Sequence, residues 1–267
     1  MNTLFHYCPS SSFTSIISNR TIWLSSLSLS NDSMEGRLVA QTFERLLSQS
    51  NVSPEEMAAI RASLKIAEDV FDGLGFCLSE KPDLLSQWRG YADDGQGFSI
   101  GFNVEYLEKL TADNKENRQS TYIIGKVLYE PEQHESALTS TYKHLEEVIS
   151  SGNLKETNST LLTSISEAQR VQPSKECNNL ITSLYISSFD VPDNMYMLKN
   201  KAFSEEAEWR LVNYLGKTTL DPASFRASGN RIIPYKEFEL KPLDLKAIET
   251  IYVGPKNITP DFVIKRF

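Results

Sequence analysis

Residues 3–26 read TLFHYCPSSSFTSIISNRTIWLSS, and this stretch decides the fold that we expect. Leu4 to Tyr7 is predicted as a short strand because apolar and aromatic residues dominate it. Ser11 to Ser18 carries apolar residues at helical spacing, and Asn19-Arg20 is a typical helix end. Thr21 to Ser26 then returns as a second strand. The chain is therefore expected to open with a strand, a helix and a strand.

Helices dominate the middle of the chain, and short strands return on either side of them. Further strands are predicted at Gly75–Ser79, Phe98–Phe102, Ile123–Tyr129, Ala207–Tyr214, Arg231–Pro234 and Ile248–Val253. Helices are predicted from about Met34 to Leu47, from Ser53 to about Val70 and from Leu84 to Tyr91. A tight turn at Asp93–Gly97 before the strand Phe98–Phe102 implies a hairpin-like return. The pattern favours one α+β domain over residues 1–267, with a mostly helical insertion at about 131–190 formed by Glu132–Ser150 and Leu161–Ser188.

The composition limits where the protein acts and what it binds. The chain has 267 residues, 40% of them hydrophobic, and a formal net charge of −8. No apolar run approaches the length of a membrane-spanning helix, and no signal peptide is visible at the start, so a cytoplasmic location without membrane association is expected. The negative charge disfavours a protein whose main task is to bind the nucleic-acid backbone, although a local basic groove remains open.

Metal and nucleophile chemistry find little support in the sequence. Cys8, Cys77 and Cys177 are widely spaced, with no Cys-x-x-Cys pair and no histidine at metal-ligand spacing. We therefore expect no metal, and we expect Cys77 to be an inert, buried thiol. His134 and His144 lie in a polar helical region and are predicted to be surface residues. Loops of the Gly-x-Gly-x-x-Gly and Walker types are absent from the sequence.

The segment Glu206-Ala207-Glu208 has the clearest chemical potential. If it is extended, Glu206 and Glu208 point to the same side and present two carboxylates to one ligand. Such carboxylates can orient a ribose hydroxyl and stabilise positive charge at a carbon during cleavage of a glycosidic bond. The alternative is an edge strand with solvated charges.

Several other polar and aromatic residues stand near strand ends. His6 can exchange a hydrogen bond with a ligand hydroxyl, or it can be a partly buried structural histidine. The aromatic candidates for contact with a planar ring, which could equally belong to the core, are Tyr7, Trp23, Trp88 and Tyr91. The serine candidates, which could equally be strand-end caps, are Ser25, Ser26 and Ser79.

A set of ordered motifs resembles the bacterial family of unknown function DUF2971. The motifs are His6-Tyr7, Ile22-Trp23-Leu24-Ser25-Ser26, Asn31-Asp32 with Glu35, Leu78-Ser79-Glu80, Trp88 with Tyr91-Ala92-Asp93, Gly97-Phe98-Ser99-Ile100-Gly101-Phe102, Glu206-Ala207-Glu208-Trp209-Arg210 and Ile251-Tyr252-Val253-Gly254-Pro255. The resemblance covers nearly the whole chain except the insertion, and it implies no reaction.

A more distant resemblance is to the ADP-ribosyltransferases, including the DarT-like group, whose opening is similar to the first strand, helix and strand here. The resemblance implies a split β-sheet core and NAD as substrate. It implies that His6 contacts the ribose, that Ser79 is the second-strand serine and that Tyr91 stacks on nicotinamide. It also implies that Glu208 is catalytic, with Glu206 as its upstream partner, while the serine motif Leu78-Ser79-Glu80 departs from the usual Ser-Thr-Ser.

Two functions are therefore expected from the sequence. The first is an NAD-binding ADP-ribosyltransferase-like protein that cleaves the nicotinamide–ribose bond and transfers ADP-ribose to an unknown protein or nucleic-acid acceptor, or to water. The second is a non-catalytic module that binds a nucleotide or a protein, as a sensor or partner component. Families of this kind are associated with bacterial stress or anti-phage defence. A nuclease ranks last, because no acidic and histidine metal cluster is visible.

Overall fold

The computed structural model describes residues 2–30, 38–49, 71–116, 122–150, 194–217 and 222–266, with positions 53, 54, 57, 61, 64, 65, 68 and 69 between the second and third ranges. Three sequence predictions fall wholly or largely outside these residues. They are the start of the helix from Met34, most of the helix from Ser53 and the insertion beyond residue 150.

The described residues include nine strands and six α-helices, and the described positions from 54 to 69 are also helical. The strands are β1 (Thr3–Cys8), β2 (Thr21–Ser26), β3 (Phe71–Ser79), β4 (Phe98–Asn103), β5 (Ile123–Lys126), β6 (Glu208–Gly216), β7 (Ser224–Ser228), β8 (Arg231–Glu239) and β9 (Ile248–Val253). The helices are α1 (Ser10–Asn19), α2 (Leu38–Gln49), α3 (Leu85–Tyr91), α4 (Val104–Glu116), α5 (Pro131–Ser150) and α6 (Asp261–Ile264). Two 3₁₀ turns cover Asp93–Gly95 and Lys201–Glu206.

All nine described strands join one antiparallel sheet, which confirms the α+β class. Strand β6 pairs along the whole of one edge of β3. The opposite edge of β3 is shared, because β2 pairs at Gly75 through Ser25 and β1 pairs at Ser79 through Phe5. The sheet is therefore split between β1 and β2, with Cys77 of β3 at the opening.

The two faces of the sheet carry different cores. Leu74, Phe76 and Leu78 point to one face, where they join a large cluster with residues of β1, β2 and β4. Gly75 and Cys77 alternate to the other face. A second cluster on that face includes Leu27, Met195 to Leu198 and the buried side of α2 and α5. The candidate site lies on this second face.

The strand predictions agree with the structure at some elements and differ at others. β9 begins and ends as predicted, whereas β3 starts at Phe71 instead of Gly75. The turn predicted at Asp93–Gly97 is present, but it does not join a β-hairpin, because α3 precedes it and β4 pairs with β1 and β9. β7 was missed, since all but one of its residues are exposed.

No helix within the described ranges is long and apolar enough to cross a membrane.

Candidate functional site

A cavity of about 480 Å³ lies on the face of the sheet to which Gly75 and Cys77 point. Seven of the candidate residues named from the sequence line it: His6, Tyr7, Ser25, Ser26, Tyr91, Glu206 and Glu208. The two ends of the chain therefore meet at one place. Trp23 and Ser79, which were also predicted to bind the cofactor, are not among the lining residues.

Lys199 joins the two carboxylates of the site. Its Nζ lies 2.6 Å from Oε2 of Glu206 and 2.8 Å from Oε2 of Glu208. Arg210 holds Glu208 from the other side, with Nε 2.7 Å from Oε1 and Nη2 3.1 Å from Oε2. Both oxygens of Glu208 are thus engaged, whereas Oε1 of Glu206 has no partner among the described residues.

The surroundings affect the two carboxylates in opposite directions. Burial favours the neutral acid, but the charges and hydrogen bonds of Arg210 and Lys199 outweigh it and hold the pKa of Glu208 at about 2. Burial raises the pKa of Glu206, and the contact with Lys199 only partly opposes this effect. Glu208 is therefore a permanent anion within an ion-pair network, while Glu206 is the more basic carboxylate at the cavity wall.

The backbone at this pair is not extended, so the expected reason for their shared direction is wrong. Glu206 ends a 3₁₀ turn, and β6 begins only at Glu208. Ala207 between them has the left-handed φ of 44°, which turns the chain. The two carboxylates meet because both bind Lys199, which an alternating strand pattern could not indicate.

Neighbouring hydroxyl groups fix the backbone of the pair. Ser79, only 2% exposed, donates from Oγ to the Glu206 carbonyl oxygen at 2.6 Å. Ser79 Oγ also accepts from the Lys81 N–H. The Tyr129 hydroxyl accepts from the Glu208 N–H at 2.9 Å. Ser79 therefore shapes the site through the main chain and does not reach the cavity.

His6 fills the split in the sheet. Its Nδ1 lies 2.8 Å from the Cys77 carbonyl oxygen, and its ring stacks on Phe76 with centroids 4.0 Å apart. A carbonyl only accepts, so Nδ1 carries the proton and the lone pair of Nε2 remains available. Burial lowers the pKa of His6 to about 4, although the bond to Cys77 opposes the shift. His6 is therefore a neutral hydrogen-bond acceptor at neutral pH.

Substitution of His6 by Gln should change how stability depends on pH. In the unfolded chain the imidazole binds a proton near pH 6.5, but in the folded chain it does so only near pH 4. The unfolded state binds more protons within that window, so the free energy of unfolding of the wild type falls as the pH drops from 6.5 to 4. Urea denaturation at several pH values should show a shallower fall for His6→Gln, whose amide can still donate to Cys77. Equal slopes would contradict a neutral His6.

The aromatic candidates separate into three groups. Tyr91 is 44% exposed and lines the cavity, and burial together with Glu206 raises the pKa of its hydroxyl to about 12. Tyr7 also lines it, but its hydroxyl donates to the Lys81 carbonyl and accepts from the Leu84 N–H. Trp88 packs edge-on against Tyr7 as a core residue, and Trp23 stacks on Tyr235 outside the cavity. Only Tyr91 combines cavity contact with exposure.

Some lining residues had no signal in the sequence. Lys199, Arg226 and Arg231 belong to no motif, and they meet the site only through the fold. Cys77 was predicted to be buried and inert, but it is only partly buried and lines the cavity opposite Arg210.

His134 corrects another sequence prediction. It was expected at the surface, but it is only 4% exposed, and its Nε2 lies 2.8 Å from the Leu128 carbonyl oxygen. A polar helical pattern therefore did not reveal a buried histidine.

No group of three or more His, Cys, Asp or Glu side chains in the described ranges is placed to hold a metal ion. Among the charged groups of the cavity, Lys199 and Arg210 form direct ion pairs with Glu206 and Glu208, whereas Arg226 and Arg231 contact a hydroxyl and a carbonyl oxygen. Their chemistry suits an organic ligand with hydroxyl groups and negative charge.

Comparison with known proteins identifies a family over part of the chain. Residues 87–211 match the family model described as "Protein of unknown function (DUF2971)". The matched range contains Tyr91, Lys199, Glu206, Glu208 and Arg210, and it confirms the predicted DUF2971 resemblance over those residues. No curated protein and no solved structure matches the chain.

Proposed function

We propose that this DUF2971-related chain is an ADP-ribosyltransferase-like protein that binds NAD and cleaves its nicotinamide–ribose bond. The observation that carries the proposal is that His6, Tyr91 and Glu206 line one cavity although they come from distant parts of the chain. The split between β1 and β2 supports the ADP-ribosyltransferase-like core that the motif order implied.

The roles follow from which polar groups remain available. The lone pair of His6 Nε2 accepts a hydrogen bond from a ribose hydroxyl, and the Tyr91 ring packs on nicotinamide. Oε1 of Glu206 accepts from the 2′-hydroxyl and stabilises the positive charge that develops on the ribose. Lys199, anchored by Glu208, holds the other oxygen of Glu206 in place. The assignment of catalysis to Glu208 stays a prediction, but its engaged oxygens favour a positioning role.

The chemical step is a substitution at the anomeric carbon of the ribose. The bond from that carbon to nicotinamide breaks, and the electron pair leaves with neutral nicotinamide. A nucleophilic oxygen or nitrogen of the acceptor, or a water molecule, forms the new bond and releases its proton to solvent. In this proposal the protein acts in the bacterial cytoplasm, in stress or anti-phage defence. Its acceptor is a protein or a nucleic acid.

The test is the release of nicotinamide from NAD by the purified protein, measured by chromatography with and without candidate acceptors. Release above the spontaneous rate supports the proposal, and its absence under all conditions contradicts it. Binding of NAD without release would favour the non-catalytic nucleotide-binding module instead. One observation specifically favours that second function: both oxygens of Glu208, the predicted catalytic residue, are already held by Arg210 and Lys199.

Replacement of Tyr91 by Ala should raise the KM for NAD about fivefold, because one aromatic stacking contact contributes on the order of 1 kcal/mol. The kcat should change little, since the ring contacts the leaving group without exchanging a proton. Initial rates at varied NAD give both constants. Tyr91→Phe is the matched control, because it keeps the ring and should keep the wild-type KM. An equal rise in KM for Tyr91→Phe would assign the effect to the hydroxyl and contradict stacking.

A further inference from the structure

We propose that the β7–β8 hairpin holds a diphosphate group at the mouth of the cavity, with Arg226 and Arg231 as its ligands. This inference rests on the proposed function, because it names the part of the nucleotide that lies outside the His6 and Glu206 region. It adds two residues that no sequence motif indicated.

The register of the hairpin places both arginines on one face. Ser228 of β7 lies directly opposite Arg231 of β8, so their side chains point the same way. Arg226 precedes Ser228 by two residues and shares that direction. Both arginines and Ser228 line the cavity, as do Gly229 and Asn230 of the connecting turn. The hairpin therefore directs its cationic face inward.

The opposite face of the hairpin is apolar and exposed. Phe225 is 68% exposed and Ile232 is 71% exposed. A hairpin packed for burial alone would turn these two side chains inward, but the inward face instead carries Ile233, which is 8% exposed, with the half-buried Arg226 and the exposed Arg231. The observed orientation, with both arginines toward the cavity and Phe225 and Ile232 outside, indicates that the inward face serves a ligand.

The two arginines differ from the other cations of the cavity. Lys199 and Arg210 are neutralised by Glu206 and Glu208. Arg226 instead contacts the Ser25 hydroxyl through Nε at 3.3 Å, and Arg231 contacts the Leu29 carbonyl through Nη1 at 3.1 Å. Within the part of the chain that the structure describes, neither has a carboxylate partner. Most of their N–H donors therefore remain available.

The charge of the cavity differs in sign from that of the whole protein. Four cationic residues and two carboxylates line it, which leaves an excess of two positive charges. The full chain carries a formal net charge of −8. A positive cavity in an acidic protein attracts anions to that place and repels them elsewhere. Two positive charges match the two phosphates of a diphosphate.

The spacing of the arginines also suits two adjacent phosphates. Diagonal neighbours on one face of an antiparallel pair lie roughly 7–8 Å apart at the backbone, and long side chains can converge from that distance. Each guanidinium presents a planar fork that can donate two hydrogen bonds to one phosphate. The adjoining cavity, of about 480 Å³, has room for the rest of a nucleotide.

The experiment measures the binding of ADP, inorganic pyrophosphate and adenosine by isothermal titration calorimetry at low salt. We expect ADP and pyrophosphate to bind, adenosine to bind more weakly than ADP, and the affinity for ADP to fall as salt is added. Arg226→Gln and Arg231→Gln should each weaken ADP binding about tenfold, which is typical for loss of a charge-assisted hydrogen bond. Tighter binding of ADP than of pyrophosphate identifies a nucleotide as the source of the diphosphate, and equal binding identifies free pyrophosphate.

Arg89→Gln is the matched control, because Arg89 is exposed, lies outside the cavity and pairs with Asp94 at 3.8 Å. Thermal unfolding checks that all three variants remain folded. Wild-type affinity for ADP in both hairpin variants would overturn the subsite, as would failure of both ADP and pyrophosphate to bind the wild type.

The subsite and the proposed function can fail separately. If ADP binding depends on both arginines but no nicotinamide is released, the subsite stands and the reaction is contradicted. If nicotinamide is released and both hairpin variants keep the wild-type KM for NAD, the reaction stands and the subsite is overturned.

Discussion

Replacement of Arg210 by Leu should lower the free energy of unfolding by about 3–5 kcal/mol, the range measured when one partner of a buried ion pair is removed. Arg210 is only 1% exposed and is among the largest fully buried side chains of the described chain. Its guanidinium binds both oxygens of Glu208 and donates to the Tyr196 carbonyl oxygen at 2.6 Å. In the variant, the buried Glu208 carboxylate keeps its contact with Lys199 but loses Arg210, and the Tyr196 carbonyl oxygen loses the hydrogen bond from Arg210.

Urea denaturation at pH 7 measures this loss. Arg89→Leu is the matched control, since its side chain is 70% exposed and should change stability by no more than about 0.5 kcal/mol. Addition of Glu208→Gln to Arg210→Leu should recover part of the loss, because the double variant no longer buries an under-paired charge. If Arg210→Leu lowers the free energy of unfolding by less than about 1 kcal/mol, the ion-pair network contributes little to stability.

The same network determines the response to acid. In the unfolded chain Glu208 binds a proton near pH 4.5, whereas in the folded chain it does so only near pH 2. The stability that Glu208 contributes is therefore complete above pH 4.5 and is lost as the pH falls toward 2. Without Arg210 the pKa of Glu208 rises. Whatever stability Glu208 still contributes in the variant is therefore lost at a higher pH than in the wild type.

The sequence predicted the fold more reliably than the site. Ile248–Val253 was placed correctly because its β-branched and aromatic residues are bounded by Gly254-Pro255. The strand β7 was missed because Phe225 and Ala227, its apolar positions, point outward while Arg226 points inward. A pattern based on burial cannot detect a hairpin whose charged face is turned toward a cavity.

Within the site, local motifs predicted the carboxylates but not what they bind. Glu206 and Glu208 stood out as a closely spaced acidic pair, yet a left-handed Ala207 separates them and Lys199 joins them. Lys199 lies in the segment Met197-Leu198-Lys199-Asn200, which carries no chemical signature. Its position depends on the bridge between Leu198 and Leu128, a contact across 70 residues that only the folded chain reveals.

Replacement of Glu206 by Gln should reduce kcat for nicotinamide release about 100- to 1000-fold, the usual effect of removing one group that stabilises charge in the transition state. The amide keeps the shape of the side chain but loses the negative charge that opposes the charge on the ribose. The KM for NAD should change little, because the interaction strengthens only as the bond breaks.

Glu205→Gln is the matched control for this variant. Glu205 precedes Glu206, is exposed and accepts a bond from the Ser86 hydroxyl at 3.3 Å, away from Lys199. It should keep the wild-type kcat. Thermal unfolding of both variants separates loss of activity from loss of structure. Wild-type rates in Glu206→Gln, with a folded protein, would remove Glu206 from the mechanism.

The pH profile gives an independent readout of the same residue. Burial raises the pKa of Glu206, so its catalytic form is lost at a higher pH than for an ordinary glutamate, whose pKa is 4.5. As the pH is lowered, the kcat of the wild type should therefore begin to fall above pH 4.5. Glu208 has a pKa of about 2 and cannot produce such a limb. An acid limb above pH 4.5 that disappears in Glu206→Gln would assign the charge-stabilising role to Glu206. An acid limb that persists in that variant would assign the role elsewhere.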